Sequence, residues 1–201
     1  MFTELKLSDD LTIFTSTISN IDNELLVKDL EYNCEVSKDT YYGGGNPGKQ
    51  ATIVVTSKNI EILKKEILKK LISVLKLDVN YICSYDDWTY ISDNKNKISD
   101  YHTHTTEGNF HFSEEIPHWS IIYYAEVPNN LIENDGRLFF KTKTKEVSIL
   151  PYQNQIIMFP ANVLHKPGLN PNSTNKRVVY AANISILDRN KKYKKLNKTL
   201  L

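Results

Sequence analysis

Three histidines and one arginine stand out in this chain by type and spacing. His102 and His104 lie at i and i+2, so in an extended segment both rings project to one face. Convergent imidazoles are a common way of holding a divalent transition metal. Two surface histidines in a polar loop would read the same, so the pair gains weight only from what lies downstream. His165 follows 63 positions later (165 minus 102), after an apolar run ending in Phe159-Pro160. Arg177 comes 12 positions beyond that (177 minus 165), past the turn residues Asn170, Pro171, Asn172 and Ser173. A guanidinium beside an apolar interior is costly unless it meets an anion, and it points to a carboxylate ligand. A structural salt bridge is the plainer alternative. Tyr124, in the apolar run Trp119–Tyr124, is suited to donate its hydroxyl to the same carboxylate. The pattern reads as a metal site with an anion clamp on a β-barrel-like scaffold.

Such a site needs a scaffold, and 201 residues suffice for one domain with a sizeable core. A formal charge of +1 gives no general reason to expect nucleic acid or an anionic membrane as partner. Cys34 and Cys83 are isolated, without CxxC spacing, which argues against a disulfide framework and for a reducing, cytoplasmic compartment. The first residues carry no apolar run of signal-peptide length, and no segment approaches membrane-spanning length.

Loose alternation over residues 1–18 suits an edge strand, and Asp22 precedes a plausible capped helix from Glu24. Tyr41 to Lys49 is a glycine-rich loop in which Gly43, Gly48 and Lys49 satisfy most of a nucleotide-binding P-loop. That motif needs a Ser or Thr after the lysine and a helix to follow. Here Gln50 takes the hydroxyl position and the β-branched run 51–55 predicts a strand, so nucleotide binding is disfavoured. Ser57 to Leu77 is the strongest helix, with Ile60, Leu63, Ile67, Leu71, Val74 and Leu75 on one stripe. Its Lys64, Lys65, Lys69 and Lys70 are interspersed with Glu61 and Glu66, as on a solvated outer face. Short strands are predicted at 81–84 and 88–91, broken at Asp86-Asp87, then at 119–126, 137–142, 146–150, 155–159 and 177–186. This is the spacing of a sandwich or barrel. The tail from Asp188 is basic and is expected to fray.

Taken together, Trp119 to Tyr124, Asp135-Gly136-x-Leu138, Phe159-Pro160, His165 and Arg177 resemble the iron(II)- and 2-oxoglutarate-dependent oxygenases. The likeness is to the prolyl-hydroxylase-like branch and its short bacterial and phage members. The block Phe159-Pro160-x4-His165-x4-Asn170-Pro171-x5-Arg177 is its most specific part, and residues 80–186 are covered well. The resemblance implies a mainly β chain with flanking helices, a double-stranded β-helix (jelly roll) with N-terminal helices packed on one sheet. It divides the chain into N-terminal support (1–79), core (80–187) and basic tail (188–201) within a single domain.

The same resemblance implies Fe(II), 2-oxoglutarate and O2 as the reacting partners. His102 would be the first iron ligand and His165 the distal one. Arg177 would bind the far carboxylate of 2-oxoglutarate, assisted by Tyr124 and less directly by Tyr90, with Ser120 and Leu138 lining the same pocket. The expected reaction hydroxylates a prime substrate, a peptide or a small molecule, with release of succinate and CO2. Nucleic acid has only the lysine-rich helix and tail to support it. One departure matters: His104 stands where the family carries Asp or Glu. Either His104 is itself the third ligand, or Asp100 or Glu107 substitutes. The loop 105–118, with Phe110, His111, Phe112 and His118, is a candidate lid or recognition loop. Two other readings stay open: a cupin-like metalloprotein that does not use 2-oxoglutarate, and a non-enzymatic jelly-roll interaction domain with incidental histidines.

Overall fold

Short apolar runs separated by turn residues fill the C-terminal half, and a layered β structure follows from them. The computed structural model describes residues 2–38, 49–77, 81–92, 100–104, 118–129, 131, 136–168 and 176–188, with the backbone alone for 81–85 and 188. Gly43, Gly48, Glu107, the loop 105–117 and the tail 189–201 lie outside the described residues. The N-terminal stretch is two strands, β1 (Thr3–Ser8) and β2 (Leu11–Thr17), paired antiparallel as a hairpin. Helix α1 (Asn23–Val36) starts where expected, because the Asp22 side chain accepts from the Leu25 N–H. Strand β3 (Lys49–Thr52) begins at the lysine of the P-loop-like stretch, so a strand stands where that motif would need a helix.

Helix α2 (Lys58–Leu75) is capped by Ser57 and stopped by Lys76 in the left-handed region (φ 52°). Its Ile60, Leu63, Ile67 and Leu71 are fully buried, one apolar stripe lying against the sheet core. Helix α1 is tied to the segment that leads into α2 through Asn33, which is 1% exposed. Its amide donates to Asp29 O (2.9 Å) and Val55 O (3.0 Å) and accepts from the N–H groups of Val54 and Val55 (2.9 and 2.8 Å). Asn33→Leu would strand those main-chain groups, and we expect it to cost about 2–4 kcal/mol of stability. A denaturant midpoint within error of the parent protein would show that water replaces the amide.

The C-terminal half supplies β4 (Tyr81–Ser92), β5 (His118–Glu126), β6 (Leu138–Lys141), β7 (Glu146–Ile149), β8 (Gln155–Pro160), β9 (His165–Pro167) and β10 (Arg177–Asp188). The two strands predicted around Asp86-Asp87 are one. β10 pairs with every residue of β4, and the Asp87 carboxylate is met by Lys64 Nζ and the Tyr180 hydroxyl, both at 2.9 Å. A satisfied aspartate does not break a strand. β9 is only three residues long and carries no periodic signal, so it was not predicted.

All pairings are antiparallel, in a seven-stranded sheet ordered β1-β2-β8-β5-β10-β4-β3 and a three-stranded sheet ordered β7-β6-β9. One face of the large sheet packs on the helices through Tyr123, Met158, Val178, Tyr180, Ala182 and Ile184. The other packs on the small sheet through Ile13, Tyr90, Tyr124, Ile157, Phe159, Val179 and Ala181 against Leu138 and Phe140. This is the jelly roll with helices on one sheet that the sequence implies. Among the described residues no helix is long and apolar enough to cross a membrane.

The alternation fixes which residues look into the space between the sheets. On β10 these are Arg177, Val179, Ala181 and Asn183; on β4, Tyr90, Trp88 and Asp86; on β5, Tyr124, Ile122 and Ser120. The three strands are neighbours, so these side chains form one continuous inner wall.

Candidate metal centre

The segment holding His102 and His104 is pinned to β9 by main-chain bonds. His102 and His165 exchange N–H···O=C bonds of 3.0 Å in both directions, and the His104 N–H donates to Ala161 O (2.9 Å). The three rings therefore converge, with centroids 4.5–5.1 Å apart and all ligand nitrogens within 4.8 Å of one another. Nδ1 of His165 lies 2.9 Å from Val163 O, and Nδ1 of His102 lies 3.2 Å from Asp100 O. A carbonyl can only accept, so each Nδ1 carries the proton and each Nε2 keeps its lone pair. Such carbonyl partners on the far ring nitrogen orient imidazoles that bind metal.

Nε2 of His104 lies 3.1 Å from Nε2 of His165. That distance suits a shared proton, and it equally suits two ligands bound cis to one ion at about 2.1 Å each. Burial, and then the neighbouring His102, lower the His104 pKa to about 3. His165 is pushed well down by burial and by the other two histidines. Both stay neutral near pH 7, the form that binds metal. Trp88 packs on His104 (5.3 Å between centroids) and Phe159 on His165 (4.7 Å), giving the cluster an apolar surround. Residues, spacing and tautomers fit a divalent transition ion. Asp100 offers the cluster its carbonyl, while its side chain is exposed and stands outside the group that could hold a metal.

The buried histidines set a pH dependence. The His104 pKa is about 3 in the folded protein against an ordinary 6.5, so the unfolded chain takes up the proton first. The stabilisation is complete above about pH 6.5 and is lost as pH falls toward about 3. Metal-free protein should therefore melt at a lower temperature at about pH 5 than at about pH 7, and His104→Gln should flatten the slope. An unchanged slope in that variant would assign the effect to other groups.

Arg177 sits at the start of β10 and is 1% exposed. Its Nη1 donates to Gly136 O and its Nη2 to Gly168 O (3.1 Å), and the guanidinium lies 5.6 Å from the Tyr90 ring centroid. Among the described residues no carboxylate pairs with it. Arg177 Nε and the Tyr90 hydroxyl are both buried without a hydrogen-bond partner. Burial raises the Tyr90 pKa, against the Arg177 charge, and raises that of Tyr124 to about 12, so both hydroxyls remain donors. Buried donors around an unpaired cation leave an anion-shaped demand. A carboxylate meets it.

Gly136 adopts φ 65°, a left-handed conformation, and so turns its carbonyl toward the guanidinium. A Cβ on Gly168 would sit 2.7 Å from Arg137 O and 2.9 Å from Arg137 N, both backbone atoms. Gly168→Ala must therefore shift the carbonyl that aims Arg177. If 2-oxoglutarate supplies the carboxylate, as the resemblance implies, the expected result is roughly tenfold weaker 2-oxoglutarate binding with unchanged metal affinity. Equal 2-oxoglutarate affinity would show the cradle to be dispensable.

Register places the other expected residues. Trp88 pairs with Ala181, four residues along β10 from Arg177, about 13 Å of strand. The arginine side chain and a five-carbon dicarboxylate together span such a gap. Tyr124 pairs with Val179, and Leu138 packs in the same inter-sheet core. Ser120 pairs with Asn183, six residues and about 20 Å of strand from Arg177, and its hydroxyl donates to Asn183 Oδ1 (3.0 Å). Ser120 also lies opposite Phe159 on β8, which packs on His165, so it stands at the histidine end of the wall, away from Arg177. Trp88, Asn183 and the Gly136 and Gly168 carbonyls were not foreseen. The predicted strand 88–91 already puts Trp88 on the face of Tyr90; reading 81–92 as one strand would have added Asp86 to it.

The chain matches no protein-family model and no curated protein in sequence. Solved structures do match. The chain is similar to SnoK, a non-heme α-ketoglutarate-dependent carbocyclase from nogalamycin biosynthesis, with TM-score 0.67 at 8% identity over 86% of this chain and 79% of that one. It is similar to the viral collagen prolyl hydroxylase of Paramecium Bursaria Chlorella virus-1 in its 2-oxoglutarate complex, with TM-score 0.58 at 13% identity over 86% and 95%. It is also similar to HygX from Streptomyces hygroscopicus, solved with nickel, 2-oxoglutarate and hygromycin B, with TM-score 0.57 at 10% identity over 86% and 82%. The chain has the jelly-roll fold of the iron(II)- and 2-oxoglutarate-dependent oxygenases.

Proposed function

We propose that this protein is an iron(II)- and 2-oxoglutarate-dependent dioxygenase that hydroxylates a prime substrate. The observation that carries the reading is the pairing of two features on one inner wall. Three imidazoles converge at one end, and Arg177, buried without a carboxylate partner, lies with the orphaned Tyr90 hydroxyl further along the same wall. His102, His104 and His165 would hold the metal, in a site with three neutral ligands. Bound iron and 2-oxoglutarate would supply the oxidising chemistry: one O2 is consumed, 2-oxoglutarate becomes succinate and CO2, and a substrate C–H becomes C–OH.

The chain's own residues bind, orient and exclude water. Arg177 donates to the distal carboxylate of the co-substrate, held in line by the two glycine carbonyls. Tyr90 donates its free hydroxyl to the same group, and Tyr124 stands beside them. Trp88 and Phe159 keep water from the imidazoles. SnoK, the viral hydroxylase and HygX together span a carbocyclisation, a collagen prolyl side chain and a bound antibiotic. Either a peptide or a small molecule therefore suits the fold.

A cupin-like metalloprotein would use the histidines and leave the buried donors at Arg177 without purpose. A purely structural jelly roll would explain neither. The test is turnover: with iron(II), 2-oxoglutarate and O2, the protein should form succinate slowly even without prime substrate. No succinate above a metal-free control would overturn the reading.

A further inference from the structure

The inner wall changes character at its end away from Arg177. Nearer Arg177 it is aromatic and aliphatic: Tyr90, Tyr124, Val179 and Ala181. Two residues beyond Trp88, Ala181 and Ile122 it becomes Asp86, Asn183 and Ser120. Asp86 lies directly opposite Asn183, and Asn183 directly opposite Ser120, so the three form one row across β4, β10 and β5. Asp86 is one inward step from Trp88, about 7 Å along the strand, and Trp88 packs on His104. On β8 the residue directly opposite Ser120 is Phe159, which packs on His165, so the row borders the histidine cluster at the end of the wall away from Arg177.

The three side chains differ in what they lack. The Ser120 hydroxyl is used on Asn183 Oδ1, which orients the Asn183 amide. Asp87, the neighbour of Asp86, is neutralised on the helix side by Lys64. The carboxylate of Asp86 is half-buried and has no hydrogen-bond or ion-pair partner among the described residues. A half-buried carboxylate in that condition calls for a counter-charge. Burial, and then the Asp87 charge, accordingly raise its pKa.

We propose that Asp86, with the oriented Asn183 amide beside it, forms the prime-substrate subsite and selects a substrate that presents a cationic nitrogen, an amine or a guanidinium, near the carbon to be oxidised. This inference rests on the oxygenase reading. It narrows the substrate class to basic side chains or amine-bearing small molecules, which ion-pair with Asp86 while the adjacent C–H is held toward the metal.

The experiment uses the full chain loaded with iron(II) and 2-oxoglutarate under argon, with isosteric probes: n-butylguanidine against n-butylurea, and n-butylamine against n-butanol. Binding is read by calorimetry and by the fluorescence of Trp88, which is on the face of Asp86. Each cationic probe should bind at least about tenfold tighter than its neutral partner. The preference should vanish in Asp86→Asn, survive in Asp86→Glu, and leave the 2-oxoglutarate charge-transfer band unchanged in both variants. A normal band with cationic and neutral probes binding alike, or a preference that persists in Asp86→Asn, overturns the inference and leaves the oxygenase reading intact. Absence of the band in the parent protein overturns the oxygenase reading and this inference with it.

Discussion

His165→Ala is expected to lower iron(II) affinity by more than about 100-fold, because even outer-shell partners of a metal site are commonly worth 10–100-fold. His165 is 3% exposed, its tautomer is fixed by Val163 O, and its Nε2 stands 3.1 Å from that of His104. No described Asp, Glu or Cys stands in the group to replace it. The fold should survive the change. The bonds that join His165 to His102 are main-chain, so alanine retains them, and the stability loss should stay within about 1–3 kcal/mol. His104→Asp gives the complementary result: it supplies a carboxylate at the ligand position and should retain iron within roughly tenfold. Full iron affinity in His165→Ala, measured by titration of metal-free protein, would remove the residue from the site.

Arg177→Met should weaken 2-oxoglutarate binding by roughly 30- to 5,000-fold, the range for losing one partner of a buried, hydrogen-bonded charge pair. Its iron affinity should be unchanged, since Arg177 starts β10 four residues, about 13 Å of strand, from the residue opposite Trp88 and is not in the group that could hold a metal. Methionine also leaves the Gly136 and Gly168 carbonyls without their donor, so some of the loss is structural. Arg177→Lys separates the two effects. It keeps the charge and loses the planar fork, so it should fold like the parent and still bind 2-oxoglutarate at least about tenfold more weakly. The readout is a raised KM for 2-oxoglutarate with metal binding intact. A normal KM in both variants would reduce Arg177 to a scaffold residue.

Side-chain pattern carried much of this structure. The stripe Ile60, Leu63, Ile67, Leu71 defines α2, and short apolar runs define β5, β8 and β10, because these central strands bury both faces. The pair at His102 and His104 was visible because period two is independent of what the strand pairs with. What depended on pairing was not visible. β9 has three residues and owes its place to β6 and the bridge to His102. Asp86-Asp87 reads as a break, since a sequence does not show that Lys64 and Tyr180 satisfy Asp87. The grip on Arg177 comes from backbone carbonyls, which no residue type announces. Ser120 has the right face, and only the register of β5 on β10 and β8 shows that it lies at the histidine end of the wall, six residues along from Arg177.

The most direct test of the central claim is anaerobic titration of the iron(II)-loaded protein with 2-oxoglutarate, following the weak visible charge-transfer band of the chelate. The account predicts a saturable band in the parent protein, shifted to far higher 2-oxoglutarate concentration in Arg177→Lys and absent in His165→Ala. Iron binding without any band would contradict it.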